Sequence, residues 1–491
     1  MLKSLTIPLF LVLLGLGVSL EASRAPRLYV GRATVDITPK LPVAVTGQFH
    51  LRIAEEAQSP LFANIIVIET RNGSKTSDLA IMVSCDVLYV PNDLIPLVRN
   101  EVGKHIKDLD TQKIILNATH THTAPVLKEG EYAIPTTGVT QVSEFREFFI
   151  KKVTQGIVNA WKDRDEAEVA WGLSYAVVGH NRRVVYADGT AGMSTNTNLP
   201  EFRNIEGPED HDVNMLFFWN KKSELIAMVI GVASPSQEIG GMTVVHADYW
   251  DSVRRMIYEK YGKQVCVVSW LGASGDLMPP LRYRKAADDR MRELRGLNRL
   301  DELARRLVIA VDEAYETVKN DRHSELPLVH KMEQLRIPER LVTARDYAEA
   351  KVSVENARKE IEANPQSANR LYRKMQWETE TLRRYERQQR VRRPMYEMEL
   401  HVIRLGDIAI CTNEFELFAD YGIRIQARSP ALQTFIIQLA GSEGWGAYLP
   451  TEKAVKGGAY SAVIHSSLVG PEGGQELVDR TVEILEELWR E

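Results

Sequence analysis

Cysteine is scarce in this chain: three in 491 residues, Cys85, Cys266 and Cys411, each in or beside an apolar run (AIMVSCDVLYV, QVCVVSWL, DIAICTN). They are too few and too scattered to staple a fold, and are expected as buried small hydrophobes. Positive charge is not in excess either. Against 61 Lys and Arg stand 66 Asp and Glu, a net charge of −5, so no global field attracts nucleic-acid phosphates and no nucleic-acid partner is expected. Internal repeats and low-complexity tracts are missing, which excludes solenoid and fibrous classes. No uncharged apolar stretch reaches the roughly 20 residues of a spanning helix, so no transmembrane anchor is expected. What is present is globular: 44% hydrophobic and 26% charged residues, enough to bury a large core.

The first 22 residues read differently. Lys3 gives a positive start, Leu5 to Leu20 is apolar, and Gly17, Ser19 and Ala22 are small residues at a plausible cleavage point. This predicts a signal peptide over 1–22 and a secreted or periplasmic product. Beyond it, short branched runs (IIVIE, LAIMVSC, KIILNA, AEVAWGL, VNMLFFW, LIAMVIGVA, QVCVVSWL, IAICT, FIIQLA) alternate with amphipathic stretches at 93–105, 143–161, 248–261, 300–318, 415–427 and 475–489. The pattern predicts an α/β fold: one large mixed-sheet domain over 23–491 with helices on its faces. Residues 343–391 have another texture, dense in Glu, Arg, Lys, Gln and Ala and broken once at Asn364-Pro365, which predicts an inserted helical hairpin. Its basic run from Arg383 to Arg393 reads either as a solvated helix face or as a patch for an anionic surface, including peripheral contact with a membrane.

Four clusters could carry chemistry. Asn117-Ala-Thr-His120-Thr-His122-Thr-Ala-Pro follows the strand-like KIILNA, and two His separated by one residue can ligate zinc or simply form a hydrogen-bonded polar loop. Gly272-Ala-Ser-Gly-Asp276 follows another apolar run, and its Asp reads as a site carboxylate or as a turn cap. Asn413-Glu-Phe-Glu416 is expected where strand IAICT enters a helix, with two carboxylates in the first turn. Tyr448 and Tyr460 sit in Gly-rich loops.

In chain order these clusters resemble the neutral/alkaline non-lysosomal ceramidase family. Val30-Gly-Arg-Ala-Thr-Val-Asp36-Ile-Thr looks like its G-x-G-R-A-D-I-T opening, and Thr46-Gly-Gln-Phe49 lies near its M-G-Y. Ala118-Thr-His120-Thr-His122-Thr-Ala-Pro125 is close to A-T-H-T-H-S-G-P, Asn181-Arg182 to its N-R segment, and Gly275-Asp276-Leu-Met-Pro to G-D-V-S-P. Glu416, with Gly422 and Arg424 after it, matches the glutamate of G-E-F-T-T-M-A-G-R-R; Tyr448 matches the tyrosine of G-Y-V-T-T and Tyr460 a later one. The similarity runs from Leu28 to Trp489, and the family's C-terminal immunoglobulin-like domain finds no counterpart.

The resemblance implies a zinc amidase that cuts the N-acyl bond of ceramide, with a small-molecule or lipid substrate. It implies Zn2+ on His120, Glu416 and Tyr448, with His122, Arg182, Asp276 and Tyr460 serving the developing oxyanion and the proton. Two departures stand out. Ser234 occupies the place of a family histidine ligand, leaving Glu238 or His246 as replacements, a weakened metal site or no metal at all, and Met278 replaces the family serine, which excludes a serine nucleophile there. Two other functions stay open: an exported hydrolase or lyase acting on carbohydrate, with Asp36, Asp86, Asp276, Glu238 and Glu416 as acid/base candidates, and a non-catalytic binding relative.

Overall fold

The computed structural model describes residues 25–490; the expected signal segment lies outside the described residues. Eight strands form one mixed sheet in the spatial order Cys266–Leu271, Leu225–Val232, Asp212–Asn220, Asp165–Tyr175, Arg27–Asp36, Phe62–Asn72, Lys75–Cys85, Ile114–Ala118. The interior pairs are antiparallel, and the outermost pair at each edge is parallel. The sheet curls until its edges meet: Ser84 Oγ donates to the Ser269 carbonyl at 2.5 Å, and Asn117 Nδ2 to the same oxygen at 3.4 Å. Strand twist of fixed hand accumulates into this closure, and it brings together two loops that leave opposite edges of the sheet.

Inside the curl, Ile66, Met82, Ile115, Val229, Val268 and Trp270 share a core with Ile403, Ile410 and Phe435 of a second sheet. That sheet has four strands, in the order Leu328–Pro338, Met395–Leu405, Ile408–Thr412, Gln433–Ile437. Strand side chains alternate between faces, so each outer face is also apolar and carries helices. Ile95–His105 and Val142–Lys162 cover one half of the large sheet, Tyr249–Tyr261 and Arg299–Val318 the other, and Ala419–Arg428 with Pro471–Arg490 cover the small sheet. The α/β class with a mixed sheet and flanking helices is as expected; the second sheet is additional. All three cysteines are buried and free. Among the described residues no helix is long and apolar enough to cross a membrane.

Residues 344–363 and 368–388 form two helices turned back on each other at Asn364-Pro365. They connect two antiparallel strands whose last paired residues are Pro338 and Met395. Thr343 caps the first helix in a reciprocal box with Asp346. The second helix turns Arg373, Trp377, Thr381 and Arg384 to the body of the protein. Most of the basic run is solvent-facing, but Arg384 is buried and donates to the carbonyls of Ile464 (2.8 Å) and Arg340 (2.7 Å).

Candidate active site

His120 leaves the C-terminal end of strand Ile114–Ala118 with φ +64°, a left-handed conformation rare for a non-glycine residue. Held strain of this kind, of order 1–3 kcal/mol, clusters at functional sites. Its Nδ1 donates to the Leu88 carbonyl at 2.8 Å, which leaves Nε2 as an acceptor. That nitrogen lies 3.4 Å from Glu416 Oε2 and 3.3 Å from His122 Nε2. Gly47 backs the His122 ring so closely that a Cβ there would sit 2.6 Å from it, and its φ of +99° also calls for glycine.

Glu416 is not in the first turn of a helix. It forms a two-residue parallel pairing with Tyr448, and the helix starts three residues later, at Ala419. The preceding carboxylate, Glu414, turns inward to accept from Tyr396 and Asn92, each at 2.7 Å. Burial raises the Glu416 carboxyl, but His120, Arg182 and Tyr448 outweigh it and leave its pKa below the ordinary range. Tyr448 is a neutral phenol, pushed well up by burial and by the Glu416 charge; the same causes raise Tyr460 to about 12. Burial, then the charges of His120, Arg182, Arg52 and Arg373, holds His122 well below its usual value, so it is a neutral imidazole.

Arg182 spans the site's rear wall, donating to Tyr448 Oη (3.2 Å), Gln237 Oε1 (3.3 Å) and the Gly275 carbonyl (3.0 Å). Asp276 lies behind it. Its backbone carbonyl accepts from the Arg182 amide, and its carboxylate accepts from Ala419 N (2.8 Å) and Asn181 Nδ2 (2.7 Å). Burial lifts its pKa to about 6. His120, His122, Glu416, Tyr448 and Tyr460 line one recess of about 40 Å³, whereas Asp276 does not face it.

The remaining acidic candidates are held elsewhere. Asp86 is buried in a bidentate pair with Arg254 (2.6 and 2.8 Å), Asp36 is exposed and caps Thr38, and Glu238 pairs with Arg299 at 2.7 Å. Ser234 is fully buried and donates to the Val178 carbonyl, away from the recess. The proposed replacements therefore do not reach the vacant position: Glu238 is tied up, and His246 lines no part of the recess. The neighbouring Gln237 donates through its amide to His122 Nε2 at 2.6 Å. Sequence reading also missed Tyr89, Arg373 and Trp377 in the walls: Tyr89 is hidden in the apolar run AIMVSCDVLYV, and Arg373 and Trp377 lie in an otherwise solvent-like helix.

Among the described residues no group of three or more His, Cys, Asp and Glu forms a metal cluster. The donors that face one another are His120 Nε2 and Glu416 Oε2, two lone-pair atoms with no proton donor between them when the imidazole is neutral. Their 3.4 Å separation matches the edge of a tetrahedral zinc site, roughly 3.3–3.4 Å for bonds of ~2.0–2.1 Å. Tyr448, paired in register with Glu416, is the adjacent oxygen donor. These three fit a zinc ion as a reduced set, one histidine short.

The two curled and packed sheets, with this recess at their strand ends, define a ceramidase-like fold. The chain superposes on the crystal structure of neutral ceramidase from Pseudomonas aeruginosa with a TM-score of 0.67 at 14% identity, covering 94% of this chain and 75% of that one. A ceramidase complexed with C2 gives 0.64 at 13% identity, with 95% and 76% covered. No family model matches the sequence, and no curated protein is similar to it at a significant level.

Proposed function

We propose that this protein is a hydrolase of N-acyl amide bonds, N-acylsphingosine being the member of that class its fold relatives suggest, and that it holds Zn2+ on His120, Glu416 and Tyr448. The observation that carries the reading is the convergence of His120, Glu416, Tyr448 and Tyr460 on one recess, with Arg182 hydrogen-bonded to Tyr448 behind it. A zinc ion in such a site supplies a nucleophilic water at neutral pH and polarises a carbonyl. The chain's own groups do the rest. The Tyr460 phenol faces the position where a tetrahedral oxyanion develops, as a hydrogen-bond donor, and Arg182, bonded to the Tyr448 hydroxyl, is a fixed cation behind it. Neutral His122, its Nε2 held by the Gln237 amide, fixes the wall of the recess beside His120. Asp276 positions Arg182 through the shared backbone and does not touch substrate. We further read the protein as exported, on the strength of Lys3 and the apolar Leu5 to Leu20 stretch.

The test is metal analysis of the purified protein, with hydrolysis of an N-acyl panel before and after chelation. About one zinc per chain is expected, lost in His120→Ala and Glu416→Gln, with chelation lowering both activity and Tm. Absence of zinc together with no release from any N-acyl substrate would overturn the reading.

A further inference from the structure

The recess opens into a second cavity of about 280 Å³, bounded by the second hairpin helix and by loops 128–131 and 443–445, with Tyr89, Arg373, Trp377 and Gly444 shared at the junction. Its lining contains no Ala, Val, Leu, Ile, Met or Phe side chain. Lys128, Glu129, Glu131, Arg373, Glu380, Arg383 and Glu443 supply charge, and Tyr372 and Trp445 supply aromatic surface. All but the exposed Glu129 are paired: Lys128 lies 3.4 Å from Glu443, Arg373 2.6 Å from Glu131, and Arg383 contacts Glu380. At the junction the Tyr89 hydroxyl is buried without any hydrogen-bond partner, although the residue is only 5% exposed. A buried unpaired hydroxyl is destabilising, and a ligand with a polar group there would offset that.

Resting on the amide-hydrolase reading, we propose that this vestibule binds the amine portion of the substrate and that this portion is a neutral, hydroxyl-rich unit, an N-acylated amino sugar. An alkyl chain in the vestibule would strip water from the solvated charges of its wall and return no hydrogen bond. A sugar satisfies them: its hydroxyls donate to the carboxylates and accept from Lys128 and Arg383, and its apolar ring face packs on Tyr372 or Trp445. Mutual pairing of the wall charges disfavours a polyanion, which would have to break those pairs. The acyl group then enters the narrow inner recess, and the free Tyr89 hydroxyl meets the sugar where it crosses the junction.

The experiment is calorimetric titration of the purified protein with N,N′-diacetylchitobiose and, in parallel, with N-hexanoylsphingosine in mixed micelles. Acyl release from both is followed, using wild type, Trp445→Ala and Tyr372→Ala, each checked for folding by circular dichroism. The disaccharide should bind and lose roughly tenfold or more in affinity in at least one folded variant. Binding of the sphingoid without the sugar, or sugar binding indifferent to both substitutions, overturns the proposal and leaves the amide reading standing. Vestibule-dependent sugar binding with no acyl release from any substrate supports the vestibule and overturns the amide reading instead.

Discussion

At the scale of single residues, Tyr460 offers the cleanest separation of chemistry from packing. Its ring lies 6.2 Å from Trp377 at an interplanar angle of 20° and meets Phe49 edge-on at 5.7 Å, so the aromatic body holds the second hairpin helix to the recess. Tyr460→Phe keeps that packing and removes only the hydroxyl. The expected outcome is an unchanged Tm and a kcat lower by about 10²–10⁴-fold; steady-state kinetics beside a thermal melt will show whether both hold. Asp248 gives a pH signature. It caps helix Tyr249–Tyr261 from φ +54°, is fully buried, and burial raises its pKa to about 7 although two backbone amides donate to it. The folded chain therefore binds an extra proton between about pH 4, where the unfolded carboxyl titrates, and pH 7. Stability from this group is full below that window and is lost as pH rises through it. Asp248→Asn lacks the loss, so its Tm relative to wild type should move upward from pH 5 to pH 8 in scanning calorimetry. Burial also raises all three thiols above their ordinary range; an aromatic disulfide reagent should label none of them until denaturant is added.

At the scale of elements, the hairpin is both the most and the least legible part of the chain. Composition and the single Asn364-Pro365 break were enough to place two helices, but not to say what they touch. Arg373 decides that: buried to 7% side-chain exposure, it pairs with Glu131 at 2.6 Å and donates to the Gln48 carbonyl at 2.8 Å. In a helix of Arg, Lys and Glu nothing local distinguishes this arginine from its solvated neighbours, because its partners are hundreds of residues distant. Arg373→Ala leaves Glu131 buried and alone, a loss of about 3–5 kcal/mol. Hydrogen exchange over 344–388 should accelerate well before global unfolding in urea, and wild-type exchange rates would show that the pair anchors nothing. Strand Met395–Leu405 escaped the sequence reading for a related reason. Met398, Leu400 and Val402 are buried, but Glu397 and Glu399 alternate with them, so no continuous apolar run announces the strand. The helix expected from 415 begins at Ala419 because Glu416 and Leu417 pair with Tyr448 and Leu449 instead, a tertiary contact that overrides local propensity.

At the scale of the whole molecule, the core strands were readable as short branched runs, whereas their closure was not. The His loop and the Gly-Asp loop leave opposite edges of an eight-stranded sheet, and only its curl, recorded in the Ser84–Ser269 contact, makes them neighbours. Each loop could be found in the sequence, yet one site could not be assembled from them without the twist of the sheet between. Because no disulfide crosses this core, thermal melts with and without reductant should coincide; a shift would reveal a covalent link the fold does not need. The strand register carries a last implication. Pro338 and Met395 face each other across one antiparallel pair, so the chain departs to build the vestibule wall and returns at adjoining points of the same ladder. In engineering terms the hairpin is a cassette. Its two ends are close enough for a tight turn to bridge, so the vestibule wall is exchangeable as one piece, provided the replacement keeps Arg373 and Trp377, which also line the recess.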